Sequence, residues 1–406
     1  MADAALLIEP GGRIAAIGPT AAVPDPPGAV VRDLGDAILL PGLVNAHTHL
    51  ELTGFEASAS GSEFPAWILG IRRLKQARTR DQYLEAARAG LRECWAGGVT
   101  TIADTGDSGT VLQALAELGG SGIAYQEVFG PHPGVADESF GALRARVDEL
   151  GAMVRGRARL GVSPHAPYTV SGPLFARVAE WASREGLPLA VHVAESPAET
   201  EFVTRGSGPF AEAWRRRAIP LLESPSQQAP VHGPTFAGPR SPLSWLHSLG
   251  VLGPSTLCIH AVQLAPEDVA ALASTGSAVA HCPLSNARHG HGTAPLGALR
   301  RAGVRVGLGT DSVASVGRLD LFAEMRAARD LAGLSDEEAL AMATIEGARS
   351  LGLEQEIGTL TPGKWGDVIA VRPPDAPSDV LACSPQDVCL TVLGGRIVHQ
   401  SPLHSP

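Results

Sequence analysis

The chain has 406 residues, enough for one (β/α)₈ barrel of about 250 residues plus a small second module. Hydrophobic residues make up 44% and charged residues 18%, a balance too apolar for a disordered chain, and no stretch reaches the roughly 18 unbroken apolar residues of a membrane span. A net charge of −10 argues against nucleic acid as an obligate partner, and five scattered cysteines, none in a C-x-x-C pair, argue against a disulfide framework or a Cys-based zinc module.

The first residues, MADAALLIEPGG, carry no basic segment and only a short apolar run, so a cytoplasmic protein without a secretory leader is expected. In chain order, GRIAAIGP near the start is a short alternating strand; with GKWGDVIAV and GGRIVHQ near the end it predicts one small β-sandwich built from residues 1–36 and 351–406. The N-terminal share is short for half a sandwich, which raises the expectation of a missing upstream strand. Between them, residues 37–350 alternate short apolar runs with segments of helical period. AILLPGLVNAHTHL, VTTIADTG, GIAYQEVFG, RLGVSPHAPYTV, LPLAVHVAES, TLCIHAVQL, SAVAHCPLSN and VRVGLGTDS are the eight strands of a predicted α/β fold, a TIM-type (β/α)₈ barrel. Ser171 with Pro173 predicts a capped helix start, and SDEEALAMATIEGARSL places acidic residues in a first helical turn. Residues 203–241, including GSGPF, read as a long loop inserted after the fifth barrel strand and able to shape a site.

Of 13 histidines, His47, His49, His165, His192, His260 and His281 fall at or near predicted C-terminal strand ends, the face on which barrel active sites are assembled. His47 and His49, two apart on a strand, point the same way, and H-x-H alone is a weak signal. Adding His192, His260 and Asp311 (in GLGTDS) supplies enough imidazoles and a carboxylate for a Zn²⁺ or Fe²⁺ site with a position left for water.

PGLVNAHTHLEL, SPHAPYT, HVAES, HCPLSN and LGTDS, followed by GTLTPGKWGDVIAV, resemble the amidohydrolase superfamily over nearly the whole chain, in the branch of nucleoside, cytosine and guanine deaminases and triazine chlorohydrolases. The resemblance implies His47, His49, His192 and Asp311 as ligands of one divalent metal, Zn²⁺ first and Fe²⁺ as the alternative. It implies Glu195 as proton shuttle, His260 as the residue orienting the attacking water, and Asp311 as its proton acceptor. Binuclear members carry a carbamylated lysine at the end of the fourth strand; here that strand ends in SPHAPYT, and the two lysines, Lys75 and Lys364, lie elsewhere in the sequence. His165, Trp67, Arg288 and His281 are candidate substrate contacts: Trp67 to stack on a purine, Arg288 as an anion clamp, His281 beside the pocket. The relatives that deaminate S-adenosylhomocysteine and methylthioadenosine place a ribose-binding Glu about nine residues after the tryptophan, where this chain has Gln76. FPAWI and the GSGPF insertion are more similar to the bacterial 6-aminodeoxyfutalosine deaminases of menaquinone biosynthesis. The expectation is a small-molecule aminohydrolase, with no nucleic-acid or membrane partner and a homodimer left open. Guanine, triazine or S-adenosylhomocysteine-type chemistry, including dechlorination, is the alternative on the same site, and a non-catalytic barrel scaffold is the remote one.

Overall fold

The structure, a computed structural model, describes residues 3–56, 63–221, 241–374 and 379–401. Its strands in chain order are β1 (Ala4–Ile8), β2 (Ile14–Pro19), β3 (Ile38–Pro41), β4 (Leu43–Thr48), β5 (Val99–Gly106), β6 (Ser121–Val128), β7 (Arg157–Pro164), β8 (Leu189–Val193), β9 (Thr256–His260), β10 (Ala278–His281), β11 (Arg305–Leu308), β12 (Val368–Val371), β13 (Val388–Leu393) and β14 (Arg396–Gln400).

Strands β4 to β11 form one parallel sheet in sequence order, each overlapping one of the eight predicted runs, with β6 and β7 beginning one and two residues earlier than expected. Closure occurs between its two ends: the Asp311 amide donates to the His47 carbonyl at 3.1 Å, and Asn45 is stitched to Thr310 through both its amide atoms. The interior is filled by Val44, Ala46, Ile123, Tyr125, Leu257 and Ile259, so the barrel is a packed core rather than a pore. The opposite sides of the strands, with Leu43, Ile102, Val162 and Val191, pack against the helices. Burial on both faces explains why these strands read as apolar runs instead of alternating ones.

The flanking module is two sheets, a β1–β2 hairpin and the antiparallel order β14-β13-β12-β3, with Leu6 and Ile8 packed on Val368 and Leu390. The expected boundaries shift at both junctions. Ile38–Pro41 pairs with Val368–Val371, so this stretch belongs to the flanking sheet and the barrel begins at Leu43, after the turn at Gly42. Leu351, Leu353 and Ile357 pack on the barrel's interior cluster and therefore belong to the barrel rather than to the sandwich. Arg157, at the start of β7, ties the two modules through a two-pronged pair with Asp367 at 2.7 and 2.6 Å.

One helix expectation is corrected: Ser171 occupies the cap position of the Gly172–Glu185 helix, but its hydroxyl makes no capping bond. SDEEALAMATIEGARSL places Asp336, Glu337 and Glu338 in a first helical turn as expected, and its helical residues divide into Asp336–Met342 and Ile345–Ser350. The insertion is partly helical: Gly208–Arg216 is a helix containing the PF of GSGPF, while 222–240 lies outside the described residues.

Candidate metal and catalytic centre

Six non-glycine residues with positive φ occur among the described residues, and four of them, Ala194, His260, Ala261 and Asp311, rim the C-terminal mouth of the barrel. Such conformations cost about 1–3 kcal/mol each and persist only where the surroundings impose them, so they mark a built site. The turn at His260 explains how it reaches the pocket, because Leu257 and Ile259 face the barrel interior and ideal alternation would turn residue 260 away.

The four residues expected to ligate come together. His47 Nε2 and His49 Nε2 each lie 3.6 Å from Asp311 Oδ1, and the His47 and His192 rings are 5.0 Å apart. His49 donates from Nδ1 to the Thr105 carbonyl at 2.8 Å, and His192 from Nδ1 to the His165 carbonyl at 3.2 Å. Both imidazoles thus turn an Nε2 lone pair inward, the tautomer a metal ligand requires. Both nitrogens of His47 are buried without a hydrogen-bond partner. Asp311 accepts from the Ser285 hydroxyl at 2.6 Å through Oδ2, which leaves Oδ1 facing the histidines. Burial, with His47 beside it, pulls His49 down to about 4, and burial holds His192 well below the usual imidazole range. Both are neutral at pH 7. This donor set fits a divalent metal: His47, His49 and Asp311 bring ligand atoms within 4.8 Å of one another, His47 also does so with His192 and His260, and the set combines uncharged nitrogens, one orphaned imidazole and one carboxylate.

Glu195 sits beside this cluster, 4% exposed. Its Oε1 is 3.4 Å from His260 Nε2, and its Oε2 accepts from the Tyr168 hydroxyl at 3.3 Å. Burial, reinforced by Asp311 and Glu199, pushes its carboxyl well above the ordinary range. His260 donates from Nδ1 to the Asn286 side-chain carbonyl at 3.0 Å, turning its Nε2 lone pair toward Glu195. His165 lies 4.8 Å from the His192 ring and bonds Thr169; His281 is buried behind His260, with Nδ1 3.5 Å from the His260 carbonyl, in a supporting position. Trp67 packs on Phe64 and His289, and Arg288 is exposed at the last turn of the Pro283–Arg288 helix.

Several members of the site had no place in the sequence reading. Tyr168, Ser285 and Asn286 lie inside the motifs SPHAPYT and HCPLSN but gave no sign of their individual roles. Glu199 accepts from the Ala194 and Glu195 amides at 2.8 and 2.9 Å, fixing the turn that aims Glu195. The GSGPF helix reaches the site indirectly: Phe210 stacks on Tyr168 at 4.2 Å, and Trp214 Nε1 donates to the Tyr168 carbonyl. Lys75, remote in sequence from the catalytic motifs, is half-buried beside the barrel mouth, paired at 2.6 Å with both Glu51 and Asp107. Burial opposes its charge, but Glu51 and Asp107 outweigh that and raise its pKa well above normal. A protonated ammonium cannot be carbamylated, so Lys75 is unsuited to bridging two metals.

A family model, "Amidohydrolase family", matches residues 38–398, and the chain belongs to that family. An aminodeoxyfutalosine deaminase of Deinococcus radiodurans is 36% identical over 84% of this chain and 81% of its own length. A 5-methylthioadenosine/S-adenosylhomocysteine deaminase of Symbiobacterium thermophilum is 32% identical over 97% of this chain and 88% of its own. Among solved structures, a zinc-bound adenosine deaminase from Xanthomonas campestris superposes with a TM-score of 0.81 at 26% identity, covering 97% of this chain and 88% of that one. The zinc complex of an atrazine chlorohydrolase from Arthrobacter aurescens shares the fold, with a TM-score of 0.78 at 22% identity over 97% and 90%. The chain is a hydrolase, and no described helix is long and apolar enough to cross a membrane.

Proposed function

We propose that this hydrolase acts on a C–N bond by deaminating an adenine-type nucleoside, using one divalent metal, Zn²⁺ first, held by His47, His49, His192 and Asp311. The observation that carries the reading is Glu195: a buried carboxyl beside the ligand cluster, braced by Tyr168 and facing His260. Amide hydrolysis needs a proton for a leaving amine, whereas aromatic deamination also needs one on a ring nitrogen, and a neutral acid poised there supplies it.

A divalent metal held by His47, His49, His192 and Asp311 would supply the nucleophile at neutral pH by lowering the pKa of a water to about 7. His260 orients the attacking water through its Nε2 lone pair, and Asp311 accepts the proton that the water gives up. Glu195 transfers its proton to the ring nitrogen next to the carbon under attack. The tetrahedral carbon then expels ammonia, which leaves with the proton held by Asp311, while the proton of its new hydroxyl passes to Glu195 and restores that acid. Water is consumed, and a carbonyl replaces the amino group.

Among adenine-type nucleosides, 6-aminodeoxyfutalosine is the first candidate, supported by the relative at 36% identity; it would place the chain in menaquinone biosynthesis. Its sugar carries a carboxyphenyl ketone, and Arg288, exposed beside His289, is the candidate clamp for that carboxylate. The relative at 32% identity over nearly the whole chain favours S-adenosylhomocysteine-type substrates as the second reading. The test is ammonia release by the zinc-loaded protein from aminodeoxyfutalosine, adenosine, methylthioadenosine, S-adenosylhomocysteine, guanine and a triazine. Adenine nucleosides are expected to react, aminodeoxyfutalosine fastest. Turnover of guanine or the triazine alone would overturn the reading.

A further inference from the structure

The loop following the Pro283–Arg288 helix turns His291 inward against Glu195. Its backbone is anchored on both sides: the His291 amide donates to the Asn286 carbonyl at 2.9 Å, and Gln263 donates from Nε2 to the His291 carbonyl. Gly290 and Gly292, both at positive φ, let the chain make this approach, and a side chain at 292 would press on Gln263.

The imidazole is 1% exposed, yet neither ring nitrogen has a hydrogen-bond partner. Nδ1 lies 3.7 Å from Glu195 Oε1, adjacent but too far to bond. Phe64 meets the ring edge-on at 4.5 Å, His289 stacks on it at 5.3 Å, and Trp67 lies 4.6 Å from His289. His289 Nε2 and Trp67 Nε1 are likewise buried without partners. One aromatic wall therefore holds four unpaired polar atoms. Buried polar groups are nearly always paired, so their concentration beside the proton-transferring carboxyl points to a ligand that pairs them.

We infer that His291 contacts the substrate directly, hydrogen-bonding a ring nitrogen of the base other than the one Glu195 protonates, with Trp67 and His289 completing the wall against which the heterocycle lies. The assignment rests on the deaminase reading above. The alternatives are a packing role for His291 and an indirect one, exerted only through the position of Glu195.

The experiment compares wild type with His291→Phe, which keeps a planar ring, and His291→Gln, which keeps hydrogen-bonding capacity, on adenosine, 3-deazaadenosine and 7-deazaadenosine. Inosine binding is measured in parallel by calorimetry. His291→Phe is expected to lower kcat/KM for adenosine roughly 10-fold or more and to weaken inosine binding by a similar factor, with partial recovery in His291→Gln. On one of the two deaza analogues, wild type should fall by the same factor and His291→Phe should have no further effect. That comparison on wild type alone holds even if a variant folds poorly, because loss with neither analogue overturns the assignment. Equal loss on all three nucleosides in His291→Phe also overturns it and leaves deamination standing. If wild type releases ammonia from no adenine nucleoside, the deaminase reading fails, and this inference with it.

Discussion

Glu199→Gln pits burial against hydrogen bonding at the turn that carries Glu195. Glu199 is fully buried, and its two oxygens accept the Ala194 and Glu195 amides at 2.8 and 2.9 Å. Burial pushes its carboxyl up to about 7, against the pull of the backbone amides of Glu195, Ala194 and Ser196. A carboxyl raised in the folded state stabilises fully below its unfolded value, near 4.5, and loses that contribution as pH rises through 7. At 1.36 kcal/mol per pKa unit the loss is about 3 kcal/mol. Glutamine cannot ionise, but it turns an NH₂ toward one of the two amides and forfeits that bond, at about 1–3 kcal/mol. At pH 5 the variant is therefore expected to be less stable than wild type by about 1–3 kcal/mol, and by pH 8 the gap should close by about 3 kcal/mol or reverse. Denaturant unfolding of both proteins at the two pH values measures this, because contributions common to both cancel. A gap that widens with pH would refute the reasoning, since the two bonds to the carboxylate would then outweigh its burial. Turnover in the variant should fall at both pH values, because the backbone holding Glu195 is loosened.

Glu195→Gln keeps the shape and removes the transferable proton, so kcat should drop by about 10²-fold or more with KM little changed; near-normal turnover would remove Glu195 from proton transfer. Elemental analysis should find close to one divalent ion per chain, and Asp311→Asn should abolish most activity even where metal is retained; two tightly held ions would defeat the single-metal site. Lys75→Met strands the buried Glu51, which burial would raise but Lys75 holds down at about 2. The variant should lose about 3–5 kcal/mol at pH 7, and the loss should shrink as pH falls below about 4.5 toward 2, where wild type also loses the pair; a pH-independent loss would contradict the pairing. Arg288→Ala should cut a preference for a carboxylate-bearing nucleoside over adenosine by about 10- to 150-fold, as 1.5–3 kcal/mol for a charge-assisted bond implies; equal loss on both substrates would make Arg288 structural.

The barrel and its ligand set were legible because both rest on local signals. Strands buried on two faces must be continuous apolar runs, and histidines or an aspartate at their ends are costly anywhere except in a site, so His47, His49, His192, His260 and Asp311 stood out against their surroundings. What the sequence could not reveal was any arrangement that depends on which loops meet. Lys75 is far from the catalytic motifs along the chain, and its pairing with Glu51 and Asp107 exists only once the barrel mouth is assembled. Phe210 looked like part of a loop, and its support of Tyr168, and through it Glu195, depends on a helix folding back over the fifth barrel strand's loop. Ile38–Pro41 and Leu43–Thr48 form a single apolar run in sequence, and only pairing with Val368–Val371 assigns the first half to another sheet. His291, in RHGHG, looks like any glycine-flanked surface histidine; the positive-φ turns on either side and the anchors from Asn286 and Gln263 carry it into the pocket. Residue type and strand period determine which groups can do chemistry, whereas loop contacts, which have no period, decide which of them face one another and with what charge.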